Sequence, residues 1–146
     1  MDMKQDDLFV DAQFKLMDGD YDGGIAILDR IIEQDPTAAK AYQARAVAKC
    51  KKGDLDQALT DIESAIRCDE GNARYHYHKS GILMQMDALE AALEAVDHAI
   101  ELDQAYPAAY LMRSKIYEKM GDLDQSNADM SRALELKKKE VKCVDW

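Results

Sequence analysis

Gly19-Asp20-Tyr21-Asp22 returns as Gly53-Asp54-Leu55-Asp56, as Asp87-Ala88-Leu89-Glu90 and as Gly121-Asp122-Leu123-Asp124. Each return comes 34 residues after the last, with no insertion. A fixed period in this range is the sequence sign of a solenoid, built by stacking one supersecondary unit on the next. Each quartet separates two apolar-periodic runs. A glycine there can adopt positive φ and end the first run as a helix. The Asp that follows can accept the free backbone N–H groups of the next helix. Asp54 with Gln57, and Asp122 with Gln125, have the spacing of a capping box. Asp87 stands where the other repeats have glycine, and Asp tolerates the left-handed conformation better than most residues. The quartets therefore read as the turns of four helix hairpins.

The length of 146 residues fits one domain spanning 1–146. Scarce proline (Pro36 and Pro107) with abundant Ala, Leu, Asp, Glu and Lys favours helix. A net charge of −10 argues against general binding to nucleic acid or an anionic membrane, both of which would repel the chain. The longest uncharged run, Gln104 to Met112, is too short to span a bilayer. The first seven residues have no basic start and no apolar core, so no signal peptide is expected. Cys50, Cys68 and Cys143 are odd in number and lack paired spacing. They point to packing roles in a reducing compartment, and a cytoplasmic location is expected.

Taken in order, the repeats span about 5–38, 39–72, 73–106 and 107–140, leaving a tail of 141–146. Leu8, Phe9, Ala12 and Leu16 make an apolar stripe on the first helix of repeat one, and Ile25, Leu28, Ile31 and Ile32 on its second. Pro36 then stops that helix. Pro107 falls at a first helical position, where its missing N–H costs nothing. Small residues recur at fixed places: Ala12, Ala46, Ser80 and Ser114; Gly24, Ala58, Ala92 and Ser126; Ala65, Ala99 and Ala133. They let helices approach closely, with Leu28, Ile62, Val96 and Met130 expected to fill the neighbouring gap.

This pattern resembles the tetratricopeptide repeat family. An aromatic is followed by a small residue four on, then glycine, then Ala-x-x-x-large-x-x-Ala. It runs Tyr42, Ala46, Gly53, Ala58, Ile62, Ala65 in repeat two, and Tyr110, Ser114, Gly121, Met130, Ala133 in repeat four. Four matches in strict register cover about residues 5 to 140. The chain departs from the family pattern in having no Trp at the first position and Lys15 and Lys49 where Tyr is usual. Ser126 and Asn127 make the last second helix less apolar, as suits a terminal repeat facing water. The resemblance implies an all-α, right-handed superhelical solenoid of four helix-turn-helix hairpins, without catalysis or cofactor. Its implied work is protein–protein binding as a scaffold or adaptor.

The resemblance also implies that first helices line a concave groove. The corresponding residues include Phe9 and Gln13; Lys40, Gln43, Val47 and Lys51; Arg74, Tyr77 and His78; and Leu111, Met112, Lys115 and Lys119. Across the full set of groove positions, five basic residues face one acid, Asp6, in a chain with 29 acids and 19 bases. A basic floor with apolar sockets suits a peptide carrying acidic groups and one or two apolar anchors. The same lysines could instead simply solvate an exposed helix face.

Other chemistries find little footing. Family members that clamp chaperone tails need Lys, Asn, Asn, Lys and Arg in order. Here those places hold Phe9, Gln13, Ala44, Arg74 and His78, or, one repeat later, Gln43, Val47, His78, Ala108 and Met112. His76 and His78 point to different helix faces and are not a metal pair; His76 is expected at a half-buried packing position and His98 in solvent. No cysteine has a histidine at readable spacing for nucleophilic catalysis. Gly23-Gly24 lacks the Lys-Ser/Thr of a phosphate loop. The alternative to peptide binding is self-assembly: solenoid ends are unfinished faces, and a tail with Val141, Val144 and Trp146 offers itself to a neighbour, head to tail. A further alternative is that the repeats form part of a larger regulatory protein.

Overall fold

The computed structural model describes residues 3–144, with side chains from 4 to 141. Trp146 and the side chain of Val144 lie outside what is described. Eight α-helices and no strand occur among the described residues: α1 (Met3–Met17), α2 (Tyr21–Gln34), α3 (Ala39–Lys51), α4 (Leu55–Cys68), α5 (Ala73–Gln85), α6 (Leu89–Leu102), α7 (Pro107–Met120) and α8 (Leu123–Val144). Consecutive pairs form four hairpins. The packing gathers into two compact units that divide at Gly71–Asn72, each holding two hairpins.

The turns follow the quartets. Gly19, Gly53 and Gly121 have φ of 83°, 87° and 85°, and Asp87 is the one non-glycine among the described residues with positive φ, at 61°. Each turn closes by the same two backbone bonds. Gly53 N donates to Cys50 O at 3.0 Å, and Asp54 N to Lys49 O at 2.9 Å. Asp87 N and Ala88 N repeat this with Met84 O and Leu83 O. That is the Schellman arrangement, which satisfies helix-end carbonyls and needs a left-handed residue.

The caps are less regular. Asp20 accepts from Gly23 N at 2.9 Å, and Asp122 from Gln125 N at 3.2 Å. Asp54 makes no side-chain cap bond, so the capping box expected with Gln57 does not form there. Capping-box spacing permits the bond without compelling it, because an exposed carboxylate can take water instead. Pro107 occupies the first turn of α7, and α2 ends before Pro36.

The small positions are the closest contacts. Ala12, Ala46, Ser80 and Ser114 are buried, as are Ala65, Ala99 and Ala133. In the second unit the serines also bond across the hairpin: Ser80 Oγ donates to Ala92 O, and Ser114 Oγ to Ser126 O, both at 2.8 Å. Leu28, Ile62 and Val96 are fully buried. Met130, expected to match them, is 44% exposed. Leu28 and Val96 lie on second helices that pack against the next first helix of their own unit, α3 and α7, whereas no described hairpin follows α8. Leu123 and Leu134 are exposed for the same reason. The last second helix thus keeps an apolar stripe where Ser126 and Asn127 had suggested a water-adapted one; Ser126 itself is buried.

Candidate functional site

First and second helices differ in charge. α3 carries Lys40, Arg45, Lys49 and Lys51 with no acid. α5 carries Arg74 and Lys79 with no acid, and α7 carries Arg113, Lys115 and Lys119 against Glu118 alone. α6 has four acids, Glu90, Glu94, Asp97 and Glu101, and no lysine or arginine. α2 and α4 are each acid-rich as well. Three of the four first helices are thus net basic, and α1, with Asp6, Asp7 and Asp11 against Lys4 and Lys15, is net acidic.

Part of this charge is consumed in holding hairpins together. In the first unit Arg45 forks onto Asp61 of its own hairpin, Nε to Oδ2 at 2.9 Å and Nη2 to Oδ1 at 2.7 Å. Its Nη1 reaches Asp29 of the preceding hairpin at 2.7 Å. Lys49 joins Asp61 at 3.1 Å. In the second unit Arg113 makes the equivalent three bonds, to Asp129 at 2.8 Å twice and to Asp97 at 3.0 Å. Both guanidinium pKa values are pushed up, first by the hydrogen bonds to Asp61 or Asp129, against the cost of burial. Sequence reasoning missed these clusters. Their signal was present: Arg45 and Arg113, Asp61 and Asp129, and Asp29 and Asp97 are all 68 residues apart.

All thirteen residues expected in the groove are at least partly exposed. In the first unit a recess of about 410 Å³ opens between α1, α2 and α3. Phe9, Val10, Ile31, Ala38 and Ala41 give it apolar walls, and Gln5, Asp6 and Lys40 supply the polar groups. Phe9 and Lys40 are therefore brought together. Gln13, Gln43, Val47 and Lys51 lie outside the recess.

In the second unit Tyr77 lies against Tyr106, ring centroids 5.3 Å apart, and edge-on to His78 at 5.4 Å. The Tyr106 phenol has its pKa raised, chiefly by burial and then by Tyr77, with the Arg74 charge acting the other way. Burial and then the Arg74 charge lower the His78 pKa, so its imidazole is neutral near pH 7. Tyr106 was not foreseen; it precedes Pro107 at a helix cap, a place with no functional pattern. Gly81 lets α5 approach α7, since a Cβ there would stand 3.2 Å from Met112 Cε. Leu111 packs partly against the Tyr110, Ala133 and Leu136 cluster, and so belongs as much to the core as to the surface. Lys115 and Lys119 extend into solvent.

The packing role expected of the cysteines does not hold for Cys68, which ends α4 and is exposed; Cys50 is half-buried, and the side chain of Cys143 lies outside what is described. As expected, His76 is half-buried and His98 exposed; their rings meet tilted by 54°, centroids 5.4 Å apart. No helix among the described residues is long and apolar enough to cross a membrane.

Comparison with known proteins follows the geometry. Two family profiles, both described as tetratricopeptide repeat, match the chain, one over residues 15–80 and the other over 73–106 and 107–140. Among curated protein sequences none matches. Among solved structures, MamA superposes with a TM-score of 0.86 at 22% identity, covering 94% of this chain and 81% of its own. Pseudomonas aeruginosa PilF superposes at 0.84 and 22% identity, over 90% of this chain and 60% of its own. YrrB, described as a tetratricopeptide protein with an unusual peptide-binding site, superposes at 0.74 and 21% identity, over 88% and 66%. At these identities the likeness is one of fold. Together the register of the repeats, the eight helices and the two profiles show that the chain belongs to the tetratricopeptide repeat family.

Proposed function

We propose that the chain is a non-catalytic binding module whose first-helix surfaces hold a segment of another protein, one bearing acidic groups and one or two apolar anchors. The observation that carries this reading is the recess in the first unit, with apolar walls and Lys40 among its polar groups. Its volume is at the small end of natural ligand pockets and suits a single large apolar side chain. Lys40 and Lys51 of α3, Arg74 of α5, and Lys115 and Lys119 of α7, all outside the arginine clusters, supply steering and register. The rigid helical surface limits the entropy lost on binding. YrrB, similar in fold, is described as having a peptide-binding site, and the same use is proposed here.

The test is fluorescence anisotropy with a labelled peptide library that pairs Asp or Glu with Leu, Phe or Trp. Selected binders are titrated against the chain and against Lys40→Glu, Arg74→Glu and Lys115→Glu. Charge reversal at Lys40 is expected to weaken binding by about tenfold, and added salt to act in the same direction. Binding unchanged by all three reversals and by salt would overturn the electrostatic reading.

A further inference from the structure

Of the nine large apolar residues exposed among the described residues, seven lie on the terminal helices α1 and α8. On α1 they are Val10, Phe14 and Met17, the last two 62% and 81% exposed. On α8 they are Leu123, Met130, Leu134 and Val141, the last two 55% and 63% exposed. Each set follows helical spacing and forms one stripe.

The repeat register says what these stripes are. Val10 and Phe14 stand 34 residues before Ala44 and Ala48, which pack α3 onto its neighbours; Ala48 is buried. Met130 and Leu134 stand 34 residues after Val96, which is fully buried, and Ile100, which packs under Tyr110 of the following hairpin. So α1 bears the leading half, and α8 the trailing half, of the hairpin-on-hairpin contact made inside each unit.

Charge distinguishes these end faces from the internal ones. Inside each unit an acidic second helix meets a basic first helix, through Asp29 and Arg45 or through Asp97 and Arg113. Asp11 occupies the arginine place in α1, and Asp6, in its first turn, and Asp7 beside it are exposed. α1 is thus unsuited to the chain's own acidic second helices and suited to a basic one. α8 is the second helix with a basic run, Lys137, Lys138 and Lys139, all exposed. These lysines fall in the register of the inter-hairpin turn 103–105, whose Gln104 carbonyl accepts from Tyr110 in the first turns of α7. Asp6, Asp7 and Leu8 hold the corresponding places at the start of α1.

We infer that the trailing face of α8 docks on the leading face of α1 of a second copy of this chain. The contact is heterologous, so each copy keeps one free face and can add another. This inference shares Val10 and Asp6 with the recess but uses none of Lys40, Lys51, Lys115 and Lys119, and its test substitutes Phe14 and Leu134, which lie outside the recess, so it can fail separately from the peptide-binding reading.

Sedimentation equilibrium of the full chain over a concentration series tests it, with Phe14→Lys and Leu134→Lys as single-face variants. Both sites are solvent-exposed, and circular dichroism would confirm that the fold is kept. The unsubstituted chain is expected to associate, more strongly at low salt. Each variant alone should lose association by about tenfold or more. An equimolar mixture of the two should form a one-to-one pair, joining the intact trailing face of one to the intact leading face of the other. A monomer at every concentration would overturn the inference. So would a Phe14→Lys variant that still dimerises while Leu134→Lys does not, since that pattern belongs to a symmetric α8–α8 contact.

Discussion

Arg113 and Asp129 meet through two parallel hydrogen bonds, Nε to Oδ2 and Nη2 to Oδ1, each 2.8 Å long. Asp129 is buried, and the third guanidinium bond crosses to Asp97 on the preceding hairpin. The pair therefore locks one hairpin and ties it to its neighbour. Arg113→Ala would leave the Asp129 carboxylate in the interior without its partner. The expected loss is about 2–3 kcal/mol, below the full value for a buried pair because the arginine is partly solvated. Urea denaturation measures it. Arg113→Lys should recover less than half of the loss, since an ammonium cannot reproduce the planar fork.

The turn geometry separates two substitutions of similar appearance. Gly53 has φ of 87°, so Gly53→Ala places a Cβ in a disfavoured conformation and should cost about 1–2 kcal/mol. Asp87 already bears that strain at φ of 61°, so Asp87→Gly should not destabilise the protein. Thermal melts of the two variants side by side decide this; equal losses would show that the turns are not held by backbone conformation.

Val96 and Met130 share a repeat position and differ in surroundings. Val96 is fully buried, and Val96→Ala should cost about 1–3 kcal/mol through lost burial and a residual cavity. Met130 is exposed, and Met130→Ala should change stability by less than about 0.5 kcal/mol in the dilute chain. The comparison is made by denaturant unfolding at a concentration low enough to suppress association.

Stability should fall on mild acidification. The folded His78 binds its proton less readily than the unfolded residue, because burial and Arg74 disfavour the imidazolium. The unfolded chain thus holds more protons once the pH drops below the free value of 6.5, and unfolding gains from each of them. The protection is complete above that pH and is lost as pH falls further. His78→Gln should flatten the difference between pH 7 and pH 5 relative to the unsubstituted chain.

Much of this was readable in the chain itself. The 34-residue register located all four turns, and the left-handed Asp87 was visible as an exception to glycine. Small residues at fixed places marked the closest helix approaches, and they are buried. The arginine clusters were overlooked because the arginines recur every second repeat, at Arg45 and Arg113 with Lys79 between them, and a search at the single period averages that alternation away. The recess also lay beyond pattern reading. Phe9 and Lys40 are 31 residues apart, and a cavity depends on how side chains fail to fill space, which no spacing records.

By itself the sequence determined the hairpins, because local rules decide them: helical periodicity, a residue able to take positive φ, and small side chains at constant intervals act over a few residues each. Only the tertiary structure decided which equivalent positions are buried. Val96 and Met130 obey the same local pattern, yet one is covered by a following hairpin and the other is not. Burial is a property of neighbours in space, so identical sequence positions take different energies, and different uses, according to what stacks against them.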